Sequence, residues 1–198
     1  FPKDGDEYTI QVALLKDTVT VTLNTSGPSL HKRGYRVQQV MAPLKETMAA
    51  ALIMLSYWKP DRVLLDPCCG SGTIAIEAAL IAKNIAPGLM RHFAAEKWDF
   101  IDKELWKKER KEARLAIKQD FQPKIYGSDI NANAVKMSME NANNAGVGEC
   151  IKFAQIPFNK LKLPCNYGVC ISNPPYAERM GNLNDVERLY RDMGKLFN

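Results

Sequence analysis

The run Asn173-Pro174-Pro175-Tyr176 follows the apolar segment Tyr167 to Ser172 and sets two prolines between an asparagine and an aromatic ring. Prolines carry no N–H and hold the turn stiff, so the carbonyls there stay free as acceptors. The Asn173 side-chain carbonyl and the Pro174 backbone carbonyl can converge on one –NH2 group, which offers two donors. Tyr176 can stack on the ring that carries the amine. Accepting both hydrogens localises the nitrogen lone pair and points it at an electrophile. An Asn-Pro-Pro turn is also ordinary loop punctuation. Its place at the C-terminal end of a buried strand, where α/β sites lie, favours chemistry.

A second stretch supplies a place for the electrophile. Asp66-Pro67-Cys68-Cys69-Gly70-Ser71-Gly72-Thr73 ends an apolar strand in an acid and turns through small residues. It then enters a helix whose Ile74, Ala75, Ala78, Ala79 and Ile81 recur at helical spacing. The glycines admit a ligand close to the backbone, and the helix start offers free N–H groups at its positive end. Strand, glycine turn and helix open a nucleotide site in a doubly wound sheet. Asp129, just past the next predicted strand, has the position of an acid that accepts from ribose hydroxyls. It could equally cap the following helix. It lies much farther from the glycines than the usual ~20 residues, so 85–122 must be looped out.

The elements that position these residues follow from pattern. Tyr8 to Leu23 alternates as a β-hairpin, with Tyr8, Ile10, Val12 and Leu14 on one face and Val19, Val21 and Leu23 after the Lys16-Asp17 turn. Pro43 opens a helix with a stripe of Leu44, Met48, Ala51, Leu52 and Leu55. Strands are expected at Arg62 to Asp66, Lys124 to Gly127, Ile151 to Ala154 and Tyr167 to Ser172, the last buried on both faces. Helices are expected over Ser71 to Lys83, Asn133 to Ala145 with Gly146 as C-cap, and Asp185 to Phe197 with Asn184 as N-cap. Trp98, Ile101, Leu105, Ala113, Ala116 and Ile117 suggest an insertion helix packed back on the sheet. The fourth strand is too apolar for an open edge, so the native protein is expected to continue past Asn198.

Composition is globular, 46% hydrophobic and 25% charged, and no apolar run reaches the ~18 residues of a membrane span. Five cysteines, two adjacent, match no disulfide framework and no metal spacing, and read as reduced cytosolic thiols with no metal. Net charge is +5, compatible with a nucleic-acid partner. The cluster His31-Lys32-Arg33-Gly34-Tyr35-Arg36 interleaves cations with an aromatic ring and is the candidate backbone-phosphate contact. Lys103 to Lys124, rich in both signs, reads as a solvated helix face.

In combination, the Asp66–Thr73 loop and Asn173-Pro174-Pro175-Tyr176 resemble the class I S-adenosylmethionine-dependent amino-methyltransferases. Leu30 to Arg36, Ala42-Pro43-Leu44-Lys45-Glu46-Thr47 and Asn84-Ile85-Ala86-Pro87-Gly88 narrow the likeness. They are similar to the bacterial ribosomal-RNA guanine-N2 methyltransferases that carry a THUMP RNA-binding domain before the catalytic domain. The resemblance implies an α/β, doubly wound Rossmann-like methyltransferase sheet truncated after its fourth strand. Residues 1–36 would be a hairpin and linker trailing from the RNA-binding region, and 37–198 the methyltransferase domain. It implies S-adenosylmethionine held by Asp66, Pro67, Cys68, Cys69, Gly70, Ser71, Gly72, Thr73, Asp129, Ile130, Gln155, Glu46 and Thr47. The target amine would sit on Asn173, Pro174, Pro175 and Tyr176, and RNA on His31, Lys32, Arg33, Tyr35 and Arg36.

Three departures from the family pattern stand out. The acid usual after the third strand is missing, with Gln155 nearest; Ala177 replaces a common glycine; and, apart from the trailing hairpin, the THUMP domain and the last strands of the sheet are expected to lie outside these 198 residues. The amine chemistry comes from the residues, whereas RNA and guanine come from the resemblance. Asn-Pro-Pro-Tyr alone fits an adenine-N6 DNA methyltransferase or a protein-glutamine methylase equally well, and a catalytically silent RNA-binding protein is the non-enzyme alternative. A duplex-DNA enzyme would have to flip its base and usually carries a target-recognition region, of which the sequence has no sign.

Overall fold

A computed structural model describes residues 6–36, 43–163, 165–175 and 183–196. The chain begins with a two-stranded antiparallel ribbon, β1 (Ile10–Leu15) and β2 (Thr18–Leu23). Its turn places Lys16 and Asp17 at φ 48° and 59°, the left-handed pair that matches the ribbon's twist. Ile10 pairs with Leu23, Val12 with Val21 and Leu14 with Val19. The expected apolar face therefore forms, and it is exposed throughout. The base of the ribbon rests on the later insertion: Trp98 Nε1 donates to the Glu7 carbonyl, and Tyr8 packs on the Trp98 ring.

The main sheet contains β3 (Val63–Asp66), β4 (Ile125–Asp129), β5 (Ile151–Gln155) and β6 (Gly168–Cys170), all parallel in the order β5-β4-β3-β6. The chain runs outward from β3 to β5 and returns to the other side of β3. That makes the β3/β6 pair the topological switch point, where sites open in such sheets. Four helices accompany the sheet: α1 (Glu46–Leu55), α2 (Thr73–Ala82), α4 (Ala132–Asn144) and α5 (Leu183–Leu196); α3 (Lys103–Leu115) lies in the insertion. The core gathers Leu64, Ile125 and Ile151 of the strands with Ile74, Ile76 and Ala78 of α2. Among the described residues no helix is long and apolar enough to cross a membrane.

Four expectations need correction. α1 starts at Glu46 and buries Glu46, Ala49 and Ile53, while Met48, Leu52 and Leu55 are exposed. A segment apolar on nearly every side cannot be oriented by periodicity, and the polar Glu46 marks the inner face. α3 buries no residue. It is held instead to the insertion by Arg110, which donates to the carbonyls of Leu89 and Arg91 and pairs with Glu96 at 2.6 Å, and by Trp106 stacked on Phe93. Trp98, expected on that helix, is instead buried beside the 3-10 turn Ala94–Lys97. β6 is short and has β3 on one side only among the described residues, with Tyr167 and Cys170 exposed rather than buried on both faces. Asn184 lies inside α5 rather than at its cap.

Candidate active site

The apolar β3 ends in Asp66, only 1% exposed. Its Oδ1 accepts from the Cys68 N–H at 3.3 Å and from the Ser172 hydroxyl at 2.9 Å. Burial, with a smaller push from the charge of Asp129, raises its carboxyl to about 7 against the pull of the two hydrogen bonds. The loop that follows is tied to β4. Cys69 N–H donates to the Ser128 carbonyl, and Gly70 N–H donates to Asp129 Oδ2 at 2.9 Å.

Gly70 and Gly72 sit at φ 53° and 82°, where a side chain is strained. A Cβ on Gly72 would lie 2.8 Å from Ser138 Cβ and 3.2 Å from the tip of Phe153. Gly72 is also the N-cap of α2, and no side chain caps that helix start. The loop thus leaves a bare backbone cradle beside uncapped N–H groups, a shape and polarity that fit an anionic, nucleotide-like ligand.

Asp129 does not cap α4; Asn131 does, accepting from Asn133 N–H and Ala134 N–H. Asp129 accepts from Gly70 N–H through Oδ2 and from Asn131 N–H through Oδ1. Each carboxylate oxygen keeps acceptor capacity for a hydroxyl. Ile130 beside it is 71% exposed, an apolar surface at the mouth of the site, and Gln155 Nε2 donates to the Ile130 carbonyl. The geometry brings Asp66 to Thr73, Asp129, Ile130 and Gln155 to one end of the sheet.

Burial and the nearby Asp66 push the Cys68 thiol up to about 12, and burial pushes Cys69 up as well. All five cysteines are free.

Glu46 and Thr47 open α1 next to this loop. Glu46 is buried and faces Arg36, whose Nε lies 3.5 Å from Glu46 Oε1. Arg36 Nη2 donates to Thr73 Oγ1 at 2.7 Å and to the Leu44 carbonyl at 3.0 Å. Thr47 is exposed.

The expected RNA contact is corrected at three of its five residues. Arg36 is spent on Thr73 and Glu46. Tyr35 is 1% exposed and donates its hydroxyl to Glu77 Oε1, and Arg33 lies 3.5 Å from Glu77 Oε2. These cations turn inward because two buried glutamates of α1 and α2 demand partners. Lys32 is exposed and His31 half-buried, so only these two face outward.

On the other strand of the switch point, Asn173 is exposed and Pro174 and Pro175 are half-buried. Tyr176 and Ala177 lie outside the described residues. Two further residues bear on this loop. Ser172 joins the Asn173 turn to Asp66. Phe153 of β5 fills the space under the loop; a Cβ on Gly127 would lie 2.7 Å from its ring. A glycine inside the β4 run was the available signal for that close approach.

Residues 33–198 match the family model UPF0020, described as an RMKL-like methyltransferase domain. The chain is 49% identical over 193 residues to "Putative RNA methyltransferase YpsC" of Bacillus subtilis, covering 98% of this chain and 50% of that protein. It is 43% identical over 197 residues to "Ribosomal RNA large subunit methyltransferase K/L" of Shewanella baltica, covering 96% of this chain and 28% of that one. The chain therefore spans half or less of the length of these relatives. Two solved structures superpose with a TM-score of 0.93. One is a "predicted N6-adenine-specific DNA methylase" from Listeria monocytogenes, at 47% identity over 98% of this chain and 51% of that one. The other, SMU.472, is described as "a putative methyltransferase complexed with SAH", at 45% identity over 99% of this chain and 51% of that one. With a family model covering most of its length and a doubly wound sheet shared with these methylases, the chain belongs to the UPF0020 family of RMKL-like methyltransferase domains.

Proposed function

We propose that this chain transfers a methyl group from S-adenosylmethionine to the exocyclic amine of an RNA base, guanine N2 of ribosomal RNA. One observation carries the reading: the glycine cradle of Asp66–Thr73 and the Asn173-Pro174-Pro175 turn meet at the β3/β6 switch point, joined by the 2.9 Å bond from Ser172 to Asp66. S-adenosylmethionine supplies an activated methyl group on a sulfonium, and the SAH described in the SMU.472 structure supports that choice. The uncapped start of α2 suits its carboxylate, Asp129 its ribose hydroxyls, and the exposed Ile130 its adenine.

Asn173 and the Pro174 carbonyl hold the amine, with Tyr176 against its ring. Positioning does most of the work, because the nitrogen becomes acidic only as it gains the methyl group. The RNA substrate rests on the names of the Bacillus and Shewanella relatives, and guanine N2 on the likeness of motifs. Within the same reading, residues 1–36 trail from an RNA-binding region and 37–198 form the catalytic domain.

The test offers labelled S-adenosylmethionine with unmodified ribosomal RNA, DNA and release-factor peptide side by side. Label is expected in RNA at guanine N2; label only in DNA or peptide overturns the RNA assignment. Asn173→Ala should abolish transfer while cofactor affinity stays within about twofold.

A further inference from the structure

The β3/β6 ladder ends with the Ile171 N–H donating to the Leu65 carbonyl at 3.0 Å. Past that bond the two chains leave as separate loops, one carrying the glycines and the other the amine turn. The next tie between them is a side-chain bond, Ser172 Oγ to Asp66 Oδ1 at 2.9 Å. The same oxygen accepts from Cys68 N–H inside the glycine loop. A buried carboxyl oxygen thus ties the roots of both loops, and the Ser172 hydroxyl also meets the Cys68 thiol.

Resting on the methyl-transfer reading above, we propose that Ser172 is a positioning residue that fixes the Asn173 turn against the cofactor loop. An in-line displacement tolerates little misplacement, and an error of about 1 Å can cost on the order of 100-fold in rate. Ser172 touches neither methyl donor nor amine in this role. Its loss should therefore slow transfer without loosening the cofactor.

The carboxyl it rests on adds a readout that packing alone would not move. Asp66 is pushed up to about 7 by burial, and the Ser172 and Cys68 hydrogen bonds oppose that push. The groups facing it are Asp129 at the end of β4, Cys68 and Cys69 in the loop and Cys170 on β6. Burial holds all three thiols up, Cys68 at about 12 and Cys170 at about 11. An ionised Asp66 is the stronger acceptor. The tie tightens as pH rises through about 7, and removing Ser172 moves that inflection to higher pH.

The experiment compares Ser172→Ala, Ser172→Thr and Ser172→Val with the wild type in the full-length protein, on whichever acceptor takes label. Thr and Val have nearly the same shape, and only Thr keeps the hydroxyl. The alanine and valine variants should lose about 10- to 100-fold in kcat, with S-adenosylmethionine affinity within about twofold and the kcat–pH inflection shifted upward. The threonine variant should recover most of the rate. Wild-type kcat and inflection in the valine variant, or a threonine variant as slow as valine, overturns the positioning role. Wild-type transfer to DNA or peptide alone overturns the RNA reading and leaves the Ser172 comparison to be decided on that acceptor.

Discussion

Two cation-rich stretches of this chain meet opposite fates. In the strap Leu30 to Arg36, the side chains of Arg33 and Arg36 are 12% and 8% exposed, each against a buried glutamate. On α3, Lys107 and Lys108 are 72% and 67% exposed and pair with Glu104 and Glu112 of the same helix. The difference lies in where the partner stands. α3 finds its acids one turn away, in water, where such pairs contribute little. The strap finds Glu46 and Glu77 on α1 and α2, ten and forty-odd residues onward, and closes over them with Tyr35. Interleaved cations and aromatics in a sequence therefore do not distinguish a nucleic-acid surface from an interior clasp. The acids that settle it are distant in the chain.

The sharpest break of this contrast is Arg36→Ala. It leaves Glu46 buried without its cation and frees Thr73 at the edge of the glycine loop. A loss of about 3–5 kcal/mol is expected in chemical denaturation, with weakened cofactor binding. A loss no larger than that of a surface pair would return Arg36 to the solvated class. Tyr35→Phe removes a single buried donor from Glu77 and should cost about 1–3 kcal/mol.

Glu77 gives a pH signature. Burial raises its carboxyl above the ordinary glutamate range, despite the opposing Arg33 and Tyr35. The folded state then holds that proton more tightly than the unfolded chain. Stability should fall as pH rises through the ordinary glutamate range to the raised value, and Glu77→Gln should flatten that fall. Denaturation midpoints measured across that window check the sign.

On the RNA reading proposed above, Lys32→Ala should lower the salt slope of RNA binding by about one and leave stability unchanged, because Lys32 alone of the strap's lysine and arginines is exposed. At the small end, Lys107→Ala and Lys108→Ala should leave the thermal midpoint unchanged.

Much of the sheet was legible because parallel strands buried by helices read as short apolar runs between turn signals. Leu64-Leu65-Asp66 and Ile125-Tyr126-Gly127 both fall within a residue or two of the expected bounds. The turn of the glycine loop was legible for the same local reason: Gly70 and Gly72, which take its positive-φ positions, stand next to the strand end that they follow. Orientation was harder. α1 carries apolar side chains on nearly all sides, so its inner face is set by the pairing of Glu46 with Arg36 rather than by period. α3 has a clear amphipathic pattern, yet it packs through Trp106 and Arg110 on its own insertion. Ser172 reads as one more small residue before a turn. Its partner Asp66 lies 106 positions earlier, and only the β3/β6 pairing brings them together.

Phe153 has a consequence for how this sequence can drift. Its ring occupies the room that side chains at 72 and 127 would need. A larger residue at 127 becomes tolerable only after 153 shrinks, and a smaller 153 leaves a hole under the glycine loop until 127 or 138 grows. Positions 72, 127, 138 and 153 are thus expected to change as a set across descendants, with intermediates carrying either a clash or a cavity.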